Sequence, residues 1–142
     1  MDFHILLYRA FHAERNYLRP YLNSMGLEVG QPKLIYYLEQ KGPCSQRQLA
    51  EYFEVDCAAV SRMLDALEKR NMVTRRPDGQ SRRSNLVELT EKGRQACQAW
   101  KAHCREMENI MLRGFNEEEQ EQFADFLSRV YRNFGSAKEE EQ

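Results

Sequence analysis

The chain has 142 residues, of which 42% are hydrophobic and 30% charged, and its formal net charge is −1 at pH 7. This length allows one domain, or one domain with additional helices that pack only in a dimer. No apolar run approaches the roughly 18 residues that a membrane helix needs, and no signal-peptide pattern begins the chain. We therefore expect a cytoplasmic protein with no membrane partner.

The pattern of apolar residues is mainly helical. The first predicted helix carries two apolar lines, one through Phe11 and Leu18 and another through Ile5 and Tyr8. Two such lines suggest burial against two surfaces, the helix's own domain and a partner subunit. The predicted helices cover 2–24, roughly 32–40, 45–53, a segment beginning at 56, about 91–113 and a segment after Asn116. Residues 136–142 are polar and acidic, and we expect them to be frayed.

The segment from Ser45 to Arg94 reads as a complete winged helix-turn-helix. A short helix over 45–53 precedes a tight turn at Glu54 and Val55, and a second helix begins at Asp56. Ser45 and Asp56 are good N-cap residues for these two helices. The predicted inner faces consist of Leu49 and Ala50 on the first helix and of Val60, Leu64 and Leu67, spaced i, i+4, i+7, on the second.

The outward face of the second helix suits contact with bases. Its first residues, Cys57, Ala58 and Ala59, are small and allow the backbone to approach base edges, and an alanine methyl can meet a thymine methyl. Ser61 can donate or accept a hydrogen bond, and Arg62 can pair bidentately with guanine. A helical hairpin with a solvated outer face would give the same pattern, so this part of the motif is not decisive alone.

A basic hairpin follows the two helices. Residues 72–76 and 85–89 are strand-like, and residues 77–80 between them have turn chemistry. The segment 70–83 contains five arginines and a single acidic residue, Asp78. Such a ribbon can place arginine along phosphates or in the minor groove, and it favours DNA binding over the alternative of a winged-helix adaptor that binds protein.

The chain resembles the MarR family of bacterial regulators over nearly its full length, and most closely in LAEYFEVDCAAVSRMLDALEKRNMVTRRPDGQSRRSNLVELTEKGR. Asp78, Arg82 and Arg83 match the family's wing pattern. Leu89, Thr90 and Gly93 match the start of the helix after it. The residue before the arginine pair is commonly Asp in the family and is Ser81 here, so the resemblance does not predict a salt bridge that would stiffen the wing.

The resemblance implies a mainly α winged helix-turn-helix with a small β-hairpin wing, acting as a homodimeric repressor of a pseudo-palindromic operator. It implies dimerisation through residues 1–30 and 94–142, DNA binding through 31–93, and the arginine matching Arg82 in the minor groove. It also implies that a small ligand or thiol oxidation relieves repression. The predicted contacts to double-stranded DNA are Ser45, Gln46, Cys57, Ala58, Ala59, Ser61, Arg62, Arg75, Arg76, Arg82 and Arg83.

Other kinds of site are weaker in the sequence. Family members bind aromatic acids near the domain junction, so an aromatic or phenolic effector could contact Phe11, Tyr17, Tyr36 and Tyr37, although ordinary packing would also explain these residues. Cys97 and Cys104 lie about 10 Å apart along one helix and cannot form a disulfide there. Cys57, at a helix N-terminus, is the cysteine for an alternative, redox-responsive mechanism. We expect no metal site, no cofactor and no enzymatic activity, because the corresponding motifs are missing.

Overall fold

The computed structural model of the chain describes residues 1–79 and 81–140, without the side chains of residues 78, 81–84, 138 and 140. This part of the chain is mainly helical with a small antiparallel sheet, which confirms the predicted fold class. The elements are α1 (Phe3–Ser24), α2 (Gln31–Lys41), β1 (Cys44–Ser45), α3 (Gln46–Phe53), α4 (Cys57–Lys69), β2 (Val73–Asp78), β3 (Ser81–Leu89), α5 (Glu91–Met111) and α6 (Glu117–Glu140).

The sheet has the strand order β1-β3-β2. The hairpin of β2 and β3 pairs Val73 with Leu89 and Arg75 with Val87, and its register shifts at Pro77 and Asp78. The strands are longer than the sequence predicted, since β2 continues through Asp78 and β3 begins at Ser81. The two-residue strand β1, which the sequence did not predict, joins the hairpin to the segment before α3 by pairing Cys44 with Val87.

Side chains cap the helices that position the wing and the helix-turn-helix. The Ser45 hydroxyl accepts a hydrogen bond from the backbone N–H of Gln48 at 3.1 Å, and the Gln48 side chain accepts from the Ser45 N–H at 2.8 Å. The Asp56 carboxylate accepts from the N–H of Ala59 at 2.7 Å. Both predicted caps are therefore confirmed, and each satisfies amide donors that the first helical turn leaves free.

The core is centred on the winged helix and extends to α1 and α5 through Leu22 and Cys97. Leu49, Val60, Leu64 and Leu67 have no exposed surface, and Ala50 is buried as well, as their spacing predicted. These residues join a cluster that also contains Leu34 and Ile35 of α2, Val73 and Val87 of the hairpin and Cys97 of α5. Burial of this continuous apolar set fixes α3 and α4 against the hairpin.

The start of α5 packs tightly against Asn71 and Met72, the two residues that precede β2. The Thr90 hydroxyl donates to the Asn71 carbonyl at 2.6 Å and accepts from the Gly93 N–H at 3.0 Å. A Cβ atom at Gly93 would lie 2.1 Å from the carbonyl oxygen of Met72. Only glycine permits this approach, which explains why position 93 is glycine in the sequence LTEKG of residues 89–93.

The chain forms two compact units, residues 1–107 and 108–142. In the second unit, Asn116 caps α6 by accepting from the Glu119 N–H at 2.8 Å. The helix continues through Glu140, so residues 136–140 are helical where fraying was predicted. Among the described residues, no helix is both long and apolar enough to cross a membrane.

Candidate nucleic acid interface

The turn between α3 and α4 is held in a left-handed conformation. Glu54 has φ 55° and ψ 44°, values that favour glycine because a Cβ atom is crowded there. The N–H of Val55 nevertheless bonds to the Ala50 carbonyl at 3.1 Å. The glutamate therefore preserves the turn that brings α4 across α3, at some cost in backbone strain.

The outward face of α4 is small and open. Cys57, Ala58 and Arg62 are exposed, and Ala59 and Ser61 are half-buried. No hydrogen bond or ion pair holds the Arg62 guanidinium among the described residues. The face thus combines a backbone that a ligand can approach with one long cationic side chain.

The arginines of the hairpin have different surroundings. The Arg76 side chain is 63% exposed and lies 3.8 Å from the Glu88 carboxylate. The side chains of Arg82 and Arg83, both predicted to contact DNA, lie outside the described part of the chain. Because the pair of Arg76 with Glu88 is long and exposed to solvent, the Arg76 guanidinium can also reach a polyanion.

Arg75 departs from the expectation of a solvent-facing ribbon arginine. Its side chain is only 15% exposed, and its guanidinium forms ion pairs with Asp65 and with Glu68, the latter at 3.3 Å. Successive residues of a strand point to opposite faces, so Arg75 turns towards α4 while Arg76 faces solvent. This arginine connects the hairpin to α4, and neither of its carboxylate partners was predicted from the sequence.

A polar contact extends this network to α3. The Gln46 side-chain oxygen lies 3.3 Å from Arg75 Nη1 and 3.4 Å from Asn85 Nδ2. Ser45, also predicted to contact DNA, uses its hydroxyl oxygen as the helix cap described above. Asn85 was not among the predicted site residues, because its role depends on the pairing of β3 beside α3.

Comparison with known proteins agrees with this architecture. Residues 27–84 match the model of the MarR family. The HTH-type transcriptional regulator YxaD of Bacillus subtilis (strain 168) is 31% identical over 108 residues, which cover 76% of this chain and 76% of that protein.

The chain belongs to the MarR family.

Solved structures show the same fold. The transcriptional regulator SlyA superimposes with a TM-score of 0.89 at 21% identity and covers all of both chains. A single-site mutant of MarR from E. coli, in complex with operator DNA, superimposes with a TM-score of 0.82 at 22% identity, covering 92% of this chain and 94% of that one. The chain thus has the winged helix-turn-helix fold of these proteins, and its relationship to the MarR family and to the regulator YxaD identifies it as a transcriptional regulator.

The four aromatic residues predicted for an effector have different neighbours in this MarR-family structure. Tyr37 packs against Tyr52 and Phe53, whose ring centroids lie 4.5 and 5.7 Å from its own. Tyr36 is 48% exposed and lies under the Lys101 ammonium, 5.5 Å from its ring centroid.

The other two predicted aromatic residues lie on α1. Tyr17 contacts Tyr21, whose ring stacks on His103 with centroids 4.0 Å apart. Phe11 is 52% exposed, with the Arg15 guanidinium 5.4 Å from its ring centroid. None of the ring contacts described above joins one of these four side chains to another.

Two of the cysteines are poor candidates for redox chemistry. Burial raises the pKa of the Cys44 thiol to about 11. Burial, together with the hydrogen bond to Glu39, raises the pKa of Cys97 to about 12. Because the thiolate is the reactive form, both thiols are unreactive near neutral pH. Cys57 is exposed and Cys104 is half-buried.

No group of three or more His, Cys, Asp or Glu side chains that could hold a metal ion occurs in the described part of the chain. A polar cluster between α2 and α5 has another arrangement. The Glu39 carboxylate pairs with Lys101 and lies 3.4 Å from the Gln98 amide nitrogen. Hydrogen bonds from the Cys97 thiol and from Lys101 lower the pKa of Glu39. The cluster is an ion pair with supporting hydrogen bonds that joins two helices.

Proposed function

We propose that the protein is a homodimeric repressor that binds a pseudo-palindromic DNA operator. The observation that carries this proposal is the exposed Arg62 on the small-residue face of α4, beside a hairpin whose Arg76 is also exposed. A recognition helix in the major groove with a basic ribbon beside it is the standard docking geometry of this motif. A winged helix that bound only protein would not need that arrangement of cations.

Base readout is assigned to α4. We expect Arg62 to pair with a guanine edge and the alanines at 58 and 59 to contact thymine methyl groups, with Cys57 and Ser61 beside them. Exposure supports these roles, since Cys57, Ala58 and Arg62 are all open to solvent. The resulting half-site would contain a guanine next to one or more thymines.

Contacts to the DNA backbone are assigned to residues around α4. Arg76 and Arg83 suit phosphate contact, and Arg82 is assigned to the minor groove as the family resemblance implies. Ser45 and Gln46, at the start of the first helix of the motif, are assigned to phosphates because that helix crosses the DNA backbone. Arg75 is reassigned from DNA contact to holding the wing against α4, because its guanidinium is already paired.

Dimerisation is proposed for the helices at both ends, residues 1–30 and 94–142, which leaves 31–93 as the DNA-binding part. Large apolar side chains are exposed in each region, and contiguous exposed apolar surface marks an interface. On α1 they are Phe3, Ile5, Leu6, Leu7, Tyr8 and Phe11. On α6 they are Phe126, Leu127, Val130, Tyr131 and Phe134.

The dimer can be tested by light scattering. We expect twice the 16.8 kDa mass of one chain. Val130→Glu should weaken the dimer, whereas Ser128→Glu, which adds the same charge about 160° away around α6, should leave it intact. A stable wild-type monomer would contradict the proposal and remove the basis for an operator with two-fold symmetry.

A small aromatic or phenolic effector is proposed to relieve repression. Phe11 and Tyr36 are each about half exposed and so offer ring surface to a ligand, with Tyr17 and Tyr37 nearby in sequence. Salicylate is a suitable probe, and isothermal titration should show binding that Tyr36→Ala weakens. Oxidation of Cys57 is the competing mechanism, and Cys57→Ser would abolish it.

DNA binding itself is tested by selecting duplexes from a random pool and titrating salt. We expect the selected sequence to contain two half-sites with centres about one helical turn, 10–10.5 base pairs, apart. Affinity should fall linearly on a plot of log K against log salt concentration. Failure to enrich any sequence would contradict specific binding, and the protein-binding alternative would then be favoured.

A further inference from the structure

The amide group of Gln46 has a fixed orientation at the junction of three elements. Gln46 is the first residue of α3 and is half-buried. One atom of its amide faces both Arg75 of β2 and Asn85 of β3, at 3.3 and 3.4 Å.

Chemistry determines which atom of the amide faces the wing. A guanidinium can only donate hydrogen bonds, so the atom of Gln46 that meets Arg75 must be the oxygen. Arg75 cannot turn away, because Asp65 and Glu68 of α4 hold the other side of its guanidinium. The carbonyl of Gln46 is therefore occupied by wing donors, and only its NH₂ group is directed elsewhere.

We propose that Gln46 has two roles, one for each end of its amide: the oxygen fixes the wing to α3, and the NH₂ group donates to a DNA phosphate. The inference rests on the proposed DNA binding. Phosphate oxygens only accept hydrogen bonds, so they suit a side chain that has only donors left. The first helix of a helix-turn-helix crosses the phosphate backbone, whereas the second reads the bases.

A single substitution tests the roles of the two ends of the Gln46 amide separately. Gln46→Glu keeps the length of the side chain and an oxygen towards Arg75 and Asn85, and its charge strengthens the bond to the guanidinium. The second oxygen of the glutamate, however, would place an anion where the NH₂ group met a phosphate. The variant should therefore fold as well as wild type and bind DNA worse.

Gln48→Glu is the matched control. Gln48 lies in the same helical turn, and its side-chain oxygen accepts from the Ser45 N–H, a role that glutamate also fills. Both variants change the net charge by the same amount within two residues of each other. A general effect of charge on DNA affinity would therefore be similar in the two variants.

The test measures binding by fluorescence anisotropy on a duplex selected by wild-type protein and on a scrambled duplex, at one salt concentration. We expect Gln46→Glu to weaken binding about tenfold or more on both duplexes, since a hydrogen bond to a charged group is lost and repulsion is added. Gln48→Glu should lose less than about threefold, and the melting temperature of Gln46→Glu should match wild type.

Equal losses in the two variants would overturn the phosphate contact. Gln46→Met adds a test without a charge: it removes the NH₂ group, so we expect weaker binding to both duplexes, and binding equal to wild type would also overturn the proposal. Failure of the proposed function would look different, because the wild-type protein would then bind no duplex. Loss of affinity in Arg62→Ala with none in Gln46→Glu would refute the Gln46 assignment alone.

Discussion

Replacing Arg75 with alanine should destabilise the fold, which distinguishes it from the neighbouring arginine of the same strand. The structure gives Arg75 ion pairs to Asp65 and Glu68 and a hydrogen bond to Gln46. The carboxylates are 55% and 45% exposed, so solvent screens each pair to about 0.2–1 kcal/mol. With the packing of the largely buried arginine stem, we expect the free energy of unfolding to fall by about 1–3 kcal/mol.

Arg76→Ala is the control for this prediction. Its side chain is 63% exposed and has only a 3.8 Å contact to Glu88, so its removal should change stability by less than about 0.5 kcal/mol. Urea denaturation followed by circular dichroism at a fixed protein concentration measures both variants. The roles should reverse in DNA binding, where Arg76→Ala weakens affinity directly. An Arg76→Ala variant as destabilised as Arg75→Ala would refute the assignment of Arg75 to the wing junction.

Three further substitutions test local features of the fold. Gly93→Ala should destabilise the protein by about 3 kcal/mol in a thermal melt, or abolish soluble expression, because the new Cβ atom would meet the Met72 carbonyl. Gly135→Ala is the control: it has open space around it and should be neutral or stabilising in the same measurement. Glu54→Gly should be more stable than Glu54→Ala by about 1 kcal/mol, because glycine adopts the left-handed conformation without strain from a Cβ atom, and equal stability of the two variants would contradict that reading. Hydrogen bonds from the Cys97 thiol and, to a smaller extent, from Lys101 lower the pKa of Glu39. The ionised carboxylate therefore stabilises the fold above pH 4.5, and this stabilisation is lost as the pH falls through the lowered pKa. Glu39→Gln should therefore have a lower melting temperature at pH 7 and a smaller loss on acidification than wild type, and parallel pH profiles would contradict this.

Features of the fold that depend on neighbouring residues could be predicted from the sequence. The caps at Ser45 and Asp56 depend on a side chain and an amide three residues away, so residue type and spacing were sufficient. The buried positions of α3 and α4 follow from helical periodicity for the same reason. The turn residues at 77–80 between two strand-like segments likewise located the hairpin in the sequence.

Features that depend on distant partners could not be predicted in the same way. Strand β1 is two residues long and exists because Cys44 meets Val87, 43 positions later in the chain. The ion pairs of Arg75 depend on α4 lying beside β2, which the sequence does not show. The alternation of side chains along a strand could, however, have shown that Arg75 and Arg76 face opposite sides. The ring contacts of Tyr37 similarly depend on how α2 meets α3.

Arg62 is the residue through which α4 is proposed to read bases. The most direct measurement compares the affinities of wild type, Arg62→Ala and Lys69→Ala for the selected duplex and a scrambled duplex of the same length. Lys69 lies at the C-terminal end of the same helix and controls for the loss of one positive charge. We expect Arg62→Ala to lose about 1–3 kcal/mol of binding free energy on the selected duplex and much less on the scrambled one, and Lys69→Ala to lose the same small amount on both. Equal losses of Arg62→Ala on both duplexes would contradict base readout by this helix.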